Sequence, residues 1–428
     1  MKKFFLIIII LMSLVIFLFL LATNYSKVVK HIPYKIKEQV PDFIIQIHAS
    51  IKPIFSLMKF LNEGDLKIKD LFYNVEFLPY THYGEVDYKV QDIVSIGDVK
   101  FPNDSQSYYV DFKDENLILT TMSGLFFRSK ISNLLNQNNL EVVSITAEIV
   151  SKNKSIKVLD TLTESDNILI SYAMSENINK SCYFIYLDKS KFSINKLNFK
   201  NLYKSKKCFP NPQAGRIQPY RLDGVKGFLM SVAAQRRDTP LQNAQNDDND
   251  FGKVIFISEK DKQVFKFTKG HRNPQGLFVS DKIILSTEHG PRGGDEINSL
   301  IKGKNYGWPI ASYGRSYYNK ELMYKKSHEL ESFEEPIYSF IPSIGISEII
   351  QVSSNFWRNY SITNLFFVSS LNGRSLFQIK FDNKFERVTF VEKIFIGQRI
   401  RDLKYIETNK ALVLALERPN KIAVMRSR

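Results

Sequence analysis

The chain has 428 residues, 44% of them hydrophobic, which is ample for a large core. Its formal charge of +15 would suit nucleic acid, anionic lipid or an acidic ligand, but Lys and Arg are scattered among Ile, Asn and Phe. That scatter excludes nucleic acid as the expected partner and leaves a solvated positive surface. Only two cysteines, Cys182 and Cys208, are present, which excludes a disulfide scaffold and a cysteine-based zinc cluster.

From the N-terminus, Lys2 and Lys3 precede an uncharged run from Phe4 to Ala22, long enough to cross a bilayer as a helix. The run exceeds the usual apolar stretch of a cleaved signal, and Leu20-Leu21-Ala22-Thr23-Asn24 offers no clean small-x-small site. Residues 1–25 therefore read as an uncleaved signal anchor, with a cleaved signal peptide as the competing reading. Lys27 and Lys30 place positive charge on the second flank as well, so the positive-inside rule gives only weak orientation. Residues 26–75 read as a membrane-proximal helical linker. Phe43, Ile44, Ile47, Ile51, Ile54, Phe55, Met58 and Leu61 recur at mostly three- and four-residue intervals, as an amphipathic helix broken near Pro53 requires.

From residue 76 onward, short apolar runs bounded by Asn, Asp, Gly and Lys replace the helical pattern. Six of them are alike, starting at Asn116, Asn167, Gly227, Lys282, Asn364 and Lys410. Each is apolar at consecutive positions, which suits a strand sandwiched between neighbouring sheets. Their spacings, 46 to 82 residues, fit four-stranded blades with variable loops, so residues 76–428 are expected to form a six-bladed, all-β propeller. A decorated β-sandwich is the fallback, but it does not account for six similar strands. The longest interval carries an insertion over roughly 311–335, rich in Tyr, Lys and Glu, read as a surface loop. Cys182 and Cys208 lie within the propeller region. They either pair in an oxidising compartment, worth about 3 kcal/mol by loop closure, or stand as two small buried hydrophobes.

Glycine, proline and charge concentrate in His271-Arg272-Asn273-Pro274-Gln275-Gly276, in Glu288-His289-Gly290-Pro291-Arg292-Gly293-Gly294-Asp295-Glu296 and in Asn305-Tyr306-Gly307-Trp308-Pro309. Gly290, Gly293 and Gly294 permit tight backbone approach, and Glu288, Asp295, Glu296 and free turn carbonyls are hard oxygen donors that suit calcium. The alternative is a charged turn with internal salt bridges. Further on, Gln398-Arg399-Ile400-Arg401-Asp402 puts two guanidinium forks on one face of an extended segment, as a planar ligand with several carboxylates would need. Arginines so placed also suit pairing with acidic neighbours.

Together, His271–Pro309 and Gly397–Asp402 resemble the glucose/sorbosone dehydrogenase family, the aldose sugar dehydrogenases that use pyrroloquinoline quinone (PQQ) and calcium on a six-bladed propeller. The resemblance runs from about Ala214 to the C-terminus. It implies cofactor contacts at Arg272, Asn273, Ser343, Arg399 and Arg401, calcium held by the carbonyls of Gly290 and Pro291, and Asp295 near the sugar. It also implies a sugar or alcohol substrate oxidised at C1, a respiratory electron acceptor, and a propeller on the periplasmic side of a bacterial inner membrane. Two positions depart from the pattern. The family's general base is a histidine four residues before the arginine of His-x-x-Gly-Arg; here Asn211-Pro212-Gln213-Ala214-Gly215-Arg216 puts Pro212 there, with no titratable side chain. Asn372 stands where members often carry a lysine that helps bind the quinone. His271 and His289 are the histidines left in the motifs, at positions where relatives that keep the usual base also carry histidine. The rival expectation is a propeller without catalysis that binds a glycan, a small molecule or an envelope protein.

Overall fold

The computed structural model describes residues 88–428 apart from 97–106, 137–138, 141, 150–155, 176–181, 211–212, 235–242, 317–323, 358–360, 418–420 and 428. The anchor expected over 4–22, the linker over 26–75 and Pro212 lie outside the described residues. Among those described, no helix is long and apolar enough to cross a membrane.

The six recurrent apolar runs are the second strands of six sheets: Asn116–Thr121, Asn167–Ser175, Val225–Val232, Ile284–Glu288, Leu365–Ser370 and Ala411–Glu417. Each lies antiparallel between an innermost strand and a third strand. The innermost strands are Tyr108–Lys113, Ile156–Glu164, Ala214–Leu222, Pro274–Val279, Ile346–Gln351 and Arg399–Ile406, and they touch their neighbours round a closed ring. Six blades about a channel result, numbered here 1 to 6 in that order. The strand Tyr88–Ile96 pairs antiparallel with Lys421–Ser427, so blade 6 is completed by a strand from the other end of the described chain.

The core follows from this arrangement. A buried apolar cluster sits between each pair of adjacent blades. Ile118 shares one with Tyr172, Leu169 with Phe228, Leu229 with Leu277, Leu285 with Phe366, and Phe367 with Leu412. The ring closes between blades 6 and 1, where Val413 and Leu117 belong to the same cluster. A second strand therefore faces apolar neighbours on both sides, which is why these six runs lack the polar alternation of a half-exposed strand.

The channel is polar, and Arg216 fills it. From the start of blade 3 its Nη1 donates to Asp160 Oδ1 at 2.9 Å and Asp402 Oδ1 at 2.8 Å, and lies 3.0 Å from Glu348 Oε2. Its Nε donates to the Gln275 carbonyl at 2.7 Å and its Nη2 to that of Arg401 at 3.0 Å, while the guanidinium sits 5.2 Å from the Tyr109 ring centre. One side chain thus touches the other five blades.

Cys182 and Cys208 form a disulfide, with Cα atoms 5.3 Å apart. Of the two readings left open by the sequence, pairing is the one adopted. Two backbone bonds between Tyr183 and Phe209, 2.9 and 2.8 Å, flank it. The insertion differs from expectation. Part of it packs inward: Ala311, Ser312, Tyr324 and His328 are buried, and Arg292 and Arg315 exchange two backbone bonds of 2.8 Å, while Lys325, Glu329 and Leu330 stay at the surface. The cause is burial of Tyr324 beside Trp308, with Lys326 Nζ donating to the carbonyls of Ser312 and Gly314.

Candidate active site

The N-terminal ends of the innermost strands gather at one face of the propeller, and the sequence motifs sit on these ends. Glu288, closing the second strand of blade 4, organises the first of them. Its Oε1 accepts the backbone N–H of Arg272 and, at 3.1 Å, that of Asn273, and its Oε2 meets His271 Nδ1 at 3.0 Å. His271 is fully buried, stacks on Tyr306 and bonds Thr268 Oγ1 through Nε2 at 2.8 Å, so both ring nitrogens are occupied. It is a structural group.

The turn thus fixed presents Arg272 and Asn273. Arg272 Nη1 donates to the His289 carbonyl at 3.0 Å, and its guanidinium lies 5.2 Å from the Trp308 ring centre. Arg272, Glu288, His289, Glu296, Trp308 and Ser312 are among the residues that line one small cleft. The insertion therefore contributes to its wall. His289 donates from Nε2 to the Ile346 carbonyl; burial first, with Arg272 reinforcing it against Asp295, pushes its pKa down to about 4. Its ring is neutral near pH 7. Burial, and then Glu288, hold Glu296 well above the usual carboxylate range.

Gly290 and Pro291 begin a tight turn. A Cβ on Gly290 would stand 2.0 Å from the Gly294 carbonyl oxygen, and Gly294 has φ +67° with Gly314 and Tyr313 packed against it. Asp295 closes this turn. Its Oδ1 accepts from Gly290 N–H at 3.1 Å, and its Oδ2 accepts from Ile344, Gly345 and Ile346 N–H at 3.0, 2.7 and 3.0 Å. The residue expected beside the sugar is buried and pins the Gly290 turn to blade 5.

Arg399 and Arg401 come together on blade 6 through Glu417, a residue the motif reading missed. Arg399 Nε donates to Glu417 Oε2 at 3.1 Å and Arg401 Nε to Oε1 at 2.7 Å, while Ser107 Oγ donates to Oε1. Burial raises the Glu417 carboxyl, but the two arginines outweigh it and hold it below its ordinary value. The trio carries one net positive charge. Asn372 is exposed, beside Gly345.

Three buried polar atoms at this face have no hydrogen-bond partner among the described residues: Arg272 Nε, Ser343 Oγ and Gln398 Oε1. Orphaned buried polar groups are costly, and they are what a polar ligand would satisfy. Two of the three belong to residues that the sequence assigned to cofactor binding, so the residues present fit a polyanionic planar group.

Residues 114–423 match the sequence model of Glucose / Sorbosone dehydrogenase. The chain belongs to this family. It is similar in sequence to the aldose sugar dehydrogenase YliI of Escherichia coli (strain K12), 29% identical over 196 residues, 42% of this chain and 51% of that protein. It is also similar to the quinoprotein glucose dehydrogenase B of Acinetobacter calcoaceticus, 38% identical over 113 residues, 22% of this chain and 24% of that one. The matched stretches thus span about half of the first relative and less of the second. Among solved structures, the soluble aldose sugar dehydrogenase of Escherichia coli in its apo-form superposes with a TM-score of 0.62 at 19% identity, covering 80% of this chain and 99% of that one. The PQQ-bound aldose sugar dehydrogenase of Streptomyces coelicolor gives 0.58 at 15% identity, covering 79% and 98%. At such identities these superpositions establish the propeller alone.

Proposed function

We infer that this chain is a quinoprotein sugar dehydrogenase that oxidises an aldose or related alcohol at C1, using PQQ and calcium. The observation that carries the reading is the meeting of orphaned Arg272 Nε and Ser343 Oγ with the Arg399–Arg401 pair at one face. Arg272, Asn273 and Ser343 would hold the quinone, Arg399 and Arg401 its carboxylates, and the carbonyls of Gly290 and Pro291 its calcium. When bound, the quinone supplies the hydride acceptor. Glu288 orients the Arg272–Asn273 turn, and Asp295 keeps the Gly290 turn against blade 5, so both arms are set before any ligand arrives. Pro212 cannot take the sugar's anomeric proton, and His271, with both nitrogens engaged, cannot replace it.

The reading extends to location. An anchor over residues 4–22 would hold the propeller at a bacterial inner membrane, facing the periplasm, where a respiratory acceptor would take the electrons. The Cys182–Cys208 disulfide supports an oxidising compartment. Calorimetric titration of PQQ into the full chain, with and without calcium, tests the site. Calcium-dependent binding is expected, and no binding in either condition would overturn the reading. Quinone binding without sugar-dependent reduction of an artificial acceptor would mean that the propeller binds without catalysis.

A further inference from the structure

A hydrogen-bonded series crosses the mouth of the channel from blade 6 to the edge of blade 3. Arg401 Nη1 donates to Gln275 Oε1 at 3.1 Å, Gln275 Nε2 donates to Asn273 Oδ1 at 2.9 Å, and Asn273 Nδ2 donates to Gln213 Oε1 at 3.0 Å. The direction of every bond is fixed by chemistry. A guanidinium has donors only, so Gln275 must turn its carbonyl oxygen to Arg401 and its NH2 away. Asn273 must then offer its own oxygen to Gln275 and its NH2 to Gln213. One cation therefore sets three amide orientations, and bonds aligned in series polarise one another.

We propose that Gln275 is a positioning residue that couples the two halves of the ligand site, transmitting the charge of Arg401 to the amide of Asn273. It is the bridge between them, bonded to each. Its backbone is held independently, because its carbonyl accepts Arg216 Nε at 2.7 Å, and its side chain is buried. Replacing Gln275 by Leu keeps the approximate size of the side chain and removes both bonds. Asn273 is then free to present either end of its amide.

The ligand-binding part of the test rests on the cofactor reading above, and the stability part does not. In the full chain without ligand, unfolding constants for Asn273→Ala, Arg401→Met and the double variant form a cycle. We expect about tenfold non-additivity, within the range for residues of one hydrogen-bond network. In a Gln275→Leu background the same cycle becomes additive. Arg401→Gln, which also removes the charge, replaces Arg401→Met if the latter does not fold. Additivity in the parent, or unchanged non-additivity with Gln275→Leu, overturns the proposal. For affinity, Gln275→Leu raises the PQQ dissociation constant about tenfold in calcium, whereas Ile379→Val, a buried change in blade 5, leaves it unaltered. Equal affinity of parent and Gln275→Leu also overturns it. A parent that takes up no quinone removes the cofactor reading, and the stability cycle still decides the coupling.

Discussion

Arg216→Met tests the channel hub. Methionine keeps much of the side-chain volume but leaves Asp160, Glu348 and Asp402 facing one another without the guanidinium that lies 2.8 to 3.0 Å from each. Removing one partner of a buried ion pair costs about 3–5 kcal/mol, and three carboxylates share this partner, which puts the expected loss at the upper end. The loss also depends on pH. Burial already raises Asp160, and pushes Glu348 up to about 7, with Arg216 opposing both shifts. Without Arg216 these folded-state values rise further above their unfolded ones. A carboxyl raised on folding favours the folded state only while it is protonated, so stability falls as pH rises through the interval between the two values. The deficit of the variant is therefore smaller at about pH 5.5 than at about pH 8. Urea unfolding at the two pH values measures it. A deficit below about 1 kcal/mol, or one that does not change with pH, would refute the view of Arg216 as the charge that holds the blades together.

Glu348→Gln, which fixes the neutral form, gains stability on the parent as pH rises from about 4.5 to about 7, by up to roughly 3 kcal/mol at about 1.4 kcal/mol per pKa unit; urea midpoints at the two ends of that interval read the difference. Gly294→Ala forces a side chain onto φ +67° and within 2.6 Å of Gly314 N, so it should cost about 2 kcal/mol and speed amide exchange at Arg292 and Arg315. A thermal unfolding curve that matches the parent would contradict that strain. Pro212→His restores a titratable group at the expected base position, and sugar-dependent reduction of an artificial acceptor should rise at least about tenfold over the parent. Equal turnover in the two proteins would show that the parent moves the proton by another group.

The blade count is legible in the sequence because each second strand is buried on both faces. That condition yields runs such as Asn116-Leu-Ile-Leu-Thr-Thr and Asn364-Leu-Phe-Phe-Val-Ser without polar alternation, whatever the loops between them do. The insertion departs in part from its reading as a surface loop for the complementary reason. Its Tyr, Lys and Glu residues look solvated in isolation, but Tyr324 is buried beside Trp308, Lys326 donates to two carbonyls, and Glu335 accepts the N–H groups of His328 and Glu329. Composition reports polarity and not whether a partner is present.

The site shows the same division. Arg401 and Asp402 stand out as motif residues, but each has a partner on another blade: Gln275 meets Arg401 across 126 positions, and Arg216 reaches Asp402 across 186. No local pattern encodes such pairs. Glu417 is the instructive exception, because Arg399 and Glu417 are cross-strand partners in the hairpin that joins Arg399–Ile406 to Ala411–Glu417. Counting back from the turn places the carboxylate within one residue of the arginine, and the register shift between Ile400 and Asp402 brings the two opposite, where their charges attract. The arginine pair can thus be read as carrying one net positive charge instead of two. A ligand with several carboxylates then needs Arg272, on blade 4, to complete its neutralisation, and this ties the affinity of the site to the network that holds blades 4 and 6 in register.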